Sequence, residues 1–223
     1  ASISQDDLID LVQALNANPA VHGILVQMPL PDHISSGAVI AAIDPRKDVD
    51  GLHALNQGLL LLGQTGLHPC TPKGILRLLA AYGIDIGGRN VTVVGRSSLV
   101  GKPLAALLLM KNATVTICHS RTAHLPEMTL PADMVVMAAG QPGLLQGHMV
   151  KRGAIVIDVG INVVNDKLIG DVDFASVEPR ASAITPVPGG VGPMTVAMLM
   201  ENTLLAYEAL TGCRVESMEP LTA

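Results

Sequence analysis

Val91-Thr-Val-Val94 is a short apolar strand that runs directly into Gly95, and a helix follows Gly101, from about Lys102 to Lys111. A strand, a glycine-bounded turn and a helix in that order make the opening unit of a layered α/β domain. The pattern then repeats: strands are expected at Ala113 to Cys118, Asp133 to Ala138, Ala154 to Val159 and Ala183 to Thr185. A small hairpin is expected between Ile161 and Val172, turning at Asn165-Asp166. Short helices or loops separate the strands, which predicts a parallel, doubly wound sheet of the Rossmann type. The composition fits, because apolar residues make up 49% of the chain while Phe174, Tyr82 and Tyr207 are its whole aromatic content. Such a core is aliphatic, as in parallel sheets buried on both faces.

The first 70 residues read differently. Ser4 with Asp7 resembles a capping box, and Leu8, Leu11, Val12 and Leu15 follow at helical spacing until Asn18-Pro19. His22 to Gln27 is expected to be a buried strand, and Ser35 to Ile43 a helix. Thr71-Pro72 reads as the N-cap and first position of a helix reaching Gly83. A long helix, Thr195 to Leu210, closes the chain with Gly212 as its left-handed stop. Two units follow from this: a Rossmann-type domain over 71–188, and a smaller α/β substrate domain made of 1–70 and the returning 189–223, with a cleft between them. The chain opens at Ala1, without an initiator Met and almost on a helix start, so the substrate domain is expected to be incomplete at its N-terminus.

The net charge of −5 carries no basic block, which argues against nucleic acid and anionic membranes as partners. No apolar run approaches a bilayer span. Cys70, Cys118 and Cys213 are far apart and odd in number, as expected of free thiols in a reducing cytoplasm. No histidine stands in a zinc-binding pattern, and Ser97 and Ser98 lack the setting of a nucleophile.

The Gly95–Gly101 loop has the spacing Gly-x5-Gly, not Gly-x-Gly-x-x-Gly, so alone it is also compatible with an ordinary strand-to-helix turn. Its neighbours favour a phosphate site. Arg96 and Ser97 follow the strand directly, where backbone N–H groups and a helix N-terminus face an anion. The next strand ends in Cys118-His-Ser120-Arg121, roughly 20 residues beyond Gly101, where NAD sites carry an acid for the ribose 2′-hydroxyl. Here Ser120 and Arg121 replace it, which favours a 2′-phosphate and hence NADP. The competing reading makes Arg96 and Arg121 solvated surface charges.

Ile24-Leu-Val-Gln27-Met-Pro29-Leu30-Pro31, Lys47-Asp-Val-Asp50-Gly51, Pro69-Cys-Thr-Pro-Lys-Gly74, Val94-Gly-Arg-Ser-x-x-Val-Gly-x-Pro103 and Pro186-Val-Pro-Gly-Gly-Val-Gly-Pro-Met-Thr195 occur in this order. Together they resemble the bifunctional methylenetetrahydrofolate dehydrogenase/methenyltetrahydrofolate cyclohydrolase family, from about residue 4 to 210. The resemblance implies a cytoplasmic homodimer with a role in purine biosynthesis. It implies NADP-dependent oxidation of 5,10-methylenetetrahydrofolate, then hydrolysis to 10-formyltetrahydrofolate. It implies NADP contacts at Gly95, Arg96, Ser97, Val100, Gly101, Pro103, Ser120, Arg121 and Ile161, and folate contacts at Gln27, Pro29, Leu30, Asp50, Pro188, Gly189, Gly190 and Gly192. Asp50 is the expected grip on the pterin, since a carboxylate accepts two adjacent N–H bonds side by side; Asp48 is its rival, and a turn role before Gly51 the plain alternative. Gln27 resembles the partner of the family's catalytic lysine, or else is a strand-end amide. Pro188 to Pro193 is a ligand loop by resemblance and a connector by turn chemistry, while Met194 and Met198 are expected in the core.

In the family that lysine belongs to a Tyr-x-x-x-Lys motif. Here Tyr82 and Tyr207 are followed at that spacing by Ile86 and Thr211, and Lys73 belongs to a different segment. Dehydrogenation needs mainly orientation, but the hydrolysis needs proton transfers, so the cyclohydrolase step requires a lysine absent from this chain. Two further readings stand beside this one: an NADP-binding module without catalysis, and an oxidoreductase like shikimate or amino-acid dehydrogenases.

Overall fold

Ser4 opens the first helix as its sequence predicts: its hydroxyl accepts the Asp7 N–H at 3.1 Å, and α1 runs Gln5–Ala17. The structure is a computed structural model that describes residues 3–214; the end of the expected substrate domain, 215–223, lies outside the described residues. The helix expected after Ser35 forms as α2 (Ser36–Ala42). Val12, Ile24, Ile34, Val39 and Ile43 make a small core between these helices. Lys47 closes the end of α1, its buried ammonium donating to the carbonyls of Leu15, Asn16 and Asn18. A cation there offsets unpaired carbonyls and the helix dipole.

Two expectations need correction in this region. The stretch 22–27 is not a regular strand: it makes one parallel bridge, Ile24 to Asp48. Of its residues only Ile24 is buried and Leu25 is 45% exposed, and Asp48 is its sole bridge partner among the described residues. A helix unforeseen in the sequence, α3 (Ala54–Leu61), follows instead. Its start is fixed from a distance, because Asp48 accepts the N–H groups of Leu52 and His53 and the Asn56 amide.

Helix α4 (Cys70–Ala81) begins ahead of the expected Thr71-Pro72 cap, with Pro69 at its N-cap and no side-chain cap bond. The Thr71 hydroxyl is used elsewhere, 2.9 Å from that of Thr195. The sheet follows: β1 (Asn90–Val94), α5 (Gly101–Met110), β2 (Thr114–Cys118), α6 (Leu125–Thr129), β3 (Met134–Met137), a 3-10 turn at Gly147–Met149 and β4 (Ile155–Asp158). The expected hairpin is β5 (Asn162–Val164) with β6 (Lys167–Ile169), and Asn165 and Asp166 both take positive φ at its turn. Then come α7 (Phe174–Val177), β7 (Ala183–Ile184) and α8 (Val191–Thr211).

The five-stranded parallel sheet has the order β2-β1-β3-β4-β7. This is a doubly wound order whose switch point lies between β1 and β3, where a crevice opens at the strands' C-terminal ends. Val91, Val93, Leu104, Leu108 and Ile75 pack on one face, and Val135, Met137, Val156 and Leu145 on the other.

Helix α8 starts earlier than the expected Thr195 and ends at Gly212, φ 72°. Val191 sits in the sheet's core, and the helix then packs along α4. Farther on, Leu199 and Ala206 meet Val49 and Leu67. The buried Asn202 amide donates to the carbonyls of Val49 and His68, both at 2.8 Å. The last helix thus packs against residues of the first part of the chain.

Candidate active site

The loop after β1 is closed by contact between its two end glycines. A Cβ on Gly101 would lie 2.1 Å from the Gly95 carbonyl oxygen, and one on Gly95, whose φ is 135°, would lie 2.1 Å from the Ala138 oxygen. Glycine at both ends lets the loop tuck against β3 while α5 begins directly behind it. The Ser97 hydroxyl accepts the Val100 N–H at 3.1 Å and holds the turn. Ser97 also takes the first N–H groups of α5, Gly101 on its hydroxyl at 3.5 Å and Lys102 on its carbonyl at 3.0 Å, and Pro103 has none, so the loop rather than the expected helix end faces the cavity. The loop, with Arg96 and Ser97, walls a cavity of about 430 Å³ that also takes in His119, Ser120 and Ala139. Among the described residues no acidic side chain lines this cavity, as a 2′-phosphate would require. Arg121, next to Ser120, is exposed and is not among the residues lining this cavity; its backbone N–H donates to His119 Nδ1. Pro103 lies buried in the first turn of α5 rather than facing the cavity.

The other side of the same loop faces a second cleft. Leu99 and Val100 line a cavity of about 310 Å³ together with Gln27, Asp50, Cys70 and Thr195. Thr71, Val100, Thr195 and Val196 also line a neighbouring cavity of about 530 Å³ beneath Pro188 to Gly192, where Ile161 is exposed. The two spaces are therefore contiguous. The structure brings Gln27 and Asp50 to one end and Ile161, Pro188, Gly189, Gly190 and Gly192 to the other. Pro29 and Leu30 stand apart from both walls, beyond the cis Met28–Pro29 bond, and Leu30 packs on the core around Val12.

Burial separates Asp48 from Asp50. Asp48 is 1% exposed, with three hydrogen bonds around the start of α3, whereas Asp50 turns into the cleft. Burial raises the Asp50 carboxyl above the usual carboxylate range, partly offset by the Cys70 thiol beside it. That thiol donates to the Val49 carbonyl at 3.3 Å, and burial together with the Asp50 charge pushes it up to about 12. Cys70 is therefore a protonated hydrogen-bonding group and a poor nucleophile. Gln27 donates to the Met28 carbonyl at 3.0 Å and remains exposed at the cleft mouth.

Lys73 does not line the cleft. Its ammonium donates to Asn202 Oδ1 at 2.8 Å, lies 3.6 Å from Glu201, and is pulled below the usual lysine range chiefly by burial. Asn202 was not legible as a site-supporting residue. It sits mid-helix, and only the return of α8 places it against the backbone next to Asp50. Met198 is buried, and Met194 packs against Gly74. Cys70 and Cys118 are buried free thiols, and Cys213 is an exposed one. Among the described residues no three potential ligands gather as a metal site, and no helix is long and apolar enough to cross a membrane.

Comparison with known proteins matches both parts of the chain to one family. Residues 1–50 match the family model of the tetrahydrofolate dehydrogenase/cyclohydrolase catalytic domain, and 69–211 that of its NAD(P)-binding domain. The bifunctional protein FolD of Campylobacter concisus is 56% identical over 207 residues, which is 92% of this chain and 73% of that protein. The crystal structure of the bifunctional enzyme FolD from Campylobacter jejuni superposes with a TM-score of 0.91 at 50% identity, covering 93% of this chain and 74% of that one. The Trypanosoma brucei methylenetetrahydrofolate dehydrogenase-cyclohydrolase, solved with NADP cofactor and inhibitor, gives 0.90 at 43%, covering 93% and 74%. With its sheet order, its Gly95–Gly101 loop and these matches, the chain belongs to the tetrahydrofolate dehydrogenase/cyclohydrolase family.

Proposed function

We propose that this protein oxidises 5,10-methylenetetrahydrofolate with NADP+ and serves the hydrolysis of the methenyl product to 10-formyltetrahydrofolate. One observation carries the reading: a single loop, 95–101, walls the phosphate-type cavity through Arg96 and Ser97 and the Asp50 cleft through Leu99 and Val100. The cavity fits NADP, since it combines a close-approach glycine turn with Arg96, Ser97 and Ser120 and, among the described residues, no carboxylate. When bound, NADP+ supplies the hydride acceptor. Arg96, Ser97, Ser120 and Arg121 hold its phosphates, while Ile161 and the 188–192 loop border the reacting end. Asp50 accepts the N–H donors of the pterin edge, and Gln27 stands at the same end. The oxidised product is an amidinium shared by two nitrogens, so what these residues provide is orientation and exclusion of water.

Hydrolysis additionally needs a proton carrier. Among the described residues no lysine lines the cleft and Lys73 is engaged by Asn202, so the 223-residue chain assayed as such is expected to be weak or inactive in that step. We assign the folate side to residues 1–70 with the returning α8, and the cofactor side to 71–188. A cytoplasmic homodimer joined through the Rossmann domain, with one-carbon units passing to purine biosynthesis, completes the proposal. Support for a dimer comes from the sheet edge: β2 has one strand neighbour, Ile117 on it is 41% exposed, and Leu109 before it 65%.

Calorimetric titration separates this reading from its rivals. NADP+ and a reduced folate should both bind and shikimate should not; binding of NADP+ without any folate would leave the non-catalytic module in its place.

A further inference from the structure

Two buried carboxylates lie outside the expected contacts. Asp158 ends β4 and is 4% exposed; Asp171 follows β6 and is fully buried. Asp158 accepts the N–H groups of Gly160, Asp171 and Val172 at 2.9, 2.9 and 3.0 Å. Asp171 accepts the N–H groups of Ala139 and Gly140 on Oδ2, at 2.6 and 2.9 Å, and the Asn162 amide on Oδ1 at 2.9 Å. Neither carboxylate has spare room. A Cβ on Gly160 would lie 2.3 Å from Asp171 Oδ1, and one on Gly170 1.8 Å from Asp158 Oδ2.

Asp171 thus joins two segments that face different parts of the site. Ala139 belongs to the loop after β3 that lines the phosphate-type cavity, and Asn162 follows Ile161, which lines the cavity under the 188–192 loop. The β5–β6 hairpin carries exposed apolar residues, Val163 at 72% and Leu168 at 45%, so side-chain burial does little to fix its angle. The Asp171–Asn162 bond is a side-chain tether between the hairpin and the loop after β3.

We infer that Asp171 is a positioning residue for dinucleotide binding, setting the Ile161 hairpin relative to the phosphate cavity through Asn162. This rests on the NADP reading above. Charge-assisted bonds of this kind orient the groups that meet a ligand, and their loss leaves a buried donor unpaired.

The test uses the full chain and three variants: Asp171→Asn, Asn162→Ala, and the exchange Asp171→Asn with Asn162→Asp. An asparagine at 171 can still accept from Ala139 and Gly140, but its amide then opposes that of Asn162. In the exchange, donor and acceptor are again paired between 162 and 171, and only the longer bond of the Asn162 amide to the Ile169 carbonyl, 3.3 Å, is given up. Affinities for NADP+ and for adenosine 2′,5′-bisphosphate, which lacks the nicotinamide end, are measured beside dehydrogenase KM and kcat. The single variants should weaken NADP+ by about tenfold and leave the bisphosphate within about twofold, and the exchange should recover most of the loss. The KM for NADP+ should rise in proportion. Equal weakening of both ligands, unchanged NADP+ affinity in both single variants, or an exchange no better than Asp171→Asn would overturn the inference. If Asp171→Asn does not fold, Asn162→Ala and the exchange still decide it. Wild-type protein that binds neither ligand would overturn the cofactor reading itself.

Discussion

Asp48 and Asp50, two positions apart, acquire opposite work from their surroundings. Asp48 has every bond it needs at the start of α3, while Asp50 is held part-buried in the cleft with its carboxyl pushed up by burial. A group raised in this way stabilises the folded chain below its unfolded pKa, and that contribution is lost as pH rises through the folded value. Gripping a pterin through two accepted N–H bonds needs the ionised form. Folate KM should therefore rise as pH falls through the raised Asp50 pKa, and Asp50→Ala should raise it at least about tenfold and flatten that profile. Steady-state kinetics across the acid range check both. The cofactor end makes a separate prediction. Arg96→Gln and Arg121→Gln should each weaken NADP+ about tenfold with little change for NAD+, by titration; equal losses would refute the 2′-phosphate assignment. The sequence named Asp50 and kept Asp48 as its rival, because the helix whose start Asp48 holds was not recognised.

At the scale of elements, legibility followed local chemistry. Strand β1, its glycine loop, α5 and the turn at Asn165-Asp166 are dictated by apolar runs and backbone requirements that neighbours on the chain supply. Helix α3 depends on Asp48 from before its start, and α4 begins at a proline that offers no cap. The 22–27 stretch has strand chemistry, but strand structure needs a partner along its length and it has one bridge. The glycine loop makes the strongest element-scale prediction. Gly101→Ala would force a methyl into the Gly95 carbonyl, so it should cost about 1–3 kcal/mol in denaturant unfolding and weaken NADP+ at least about tenfold. Behind the loop, fully buried Leu104 anchors α5 to the sheet, and Leu104→Ala should cost about 2–5 kcal/mol.

For the whole molecule, α8 is the element that makes one site of two parts. It starts in the core of the sheet, packs along α4, and through Asn202 grips the backbone at Val49, next to Asp50, and at His68, ahead of α4. The sequence announced the helix and its stop at Gly212; the contacts it makes depend on tertiary return and were not legible. The proposed dimer is tested at the β2 edge. Sedimentation should give a dimer that Ile117→Lys with Leu109→Lys converts to monomer, and a monomeric wild type would refute it. The central claim is that one loop presents NADP and a reduced folate to each other, and deuterium transfer tests it most directly. With 5,10-methylenetetrahydrofolate deuterated at the methylene carbon and NADP+ supplied, mass spectrometry of the recovered cofactor should find deuterated NADPH in step with methenyl product. Tight binding of both ligands with no deuterium in the cofactor would contradict the account.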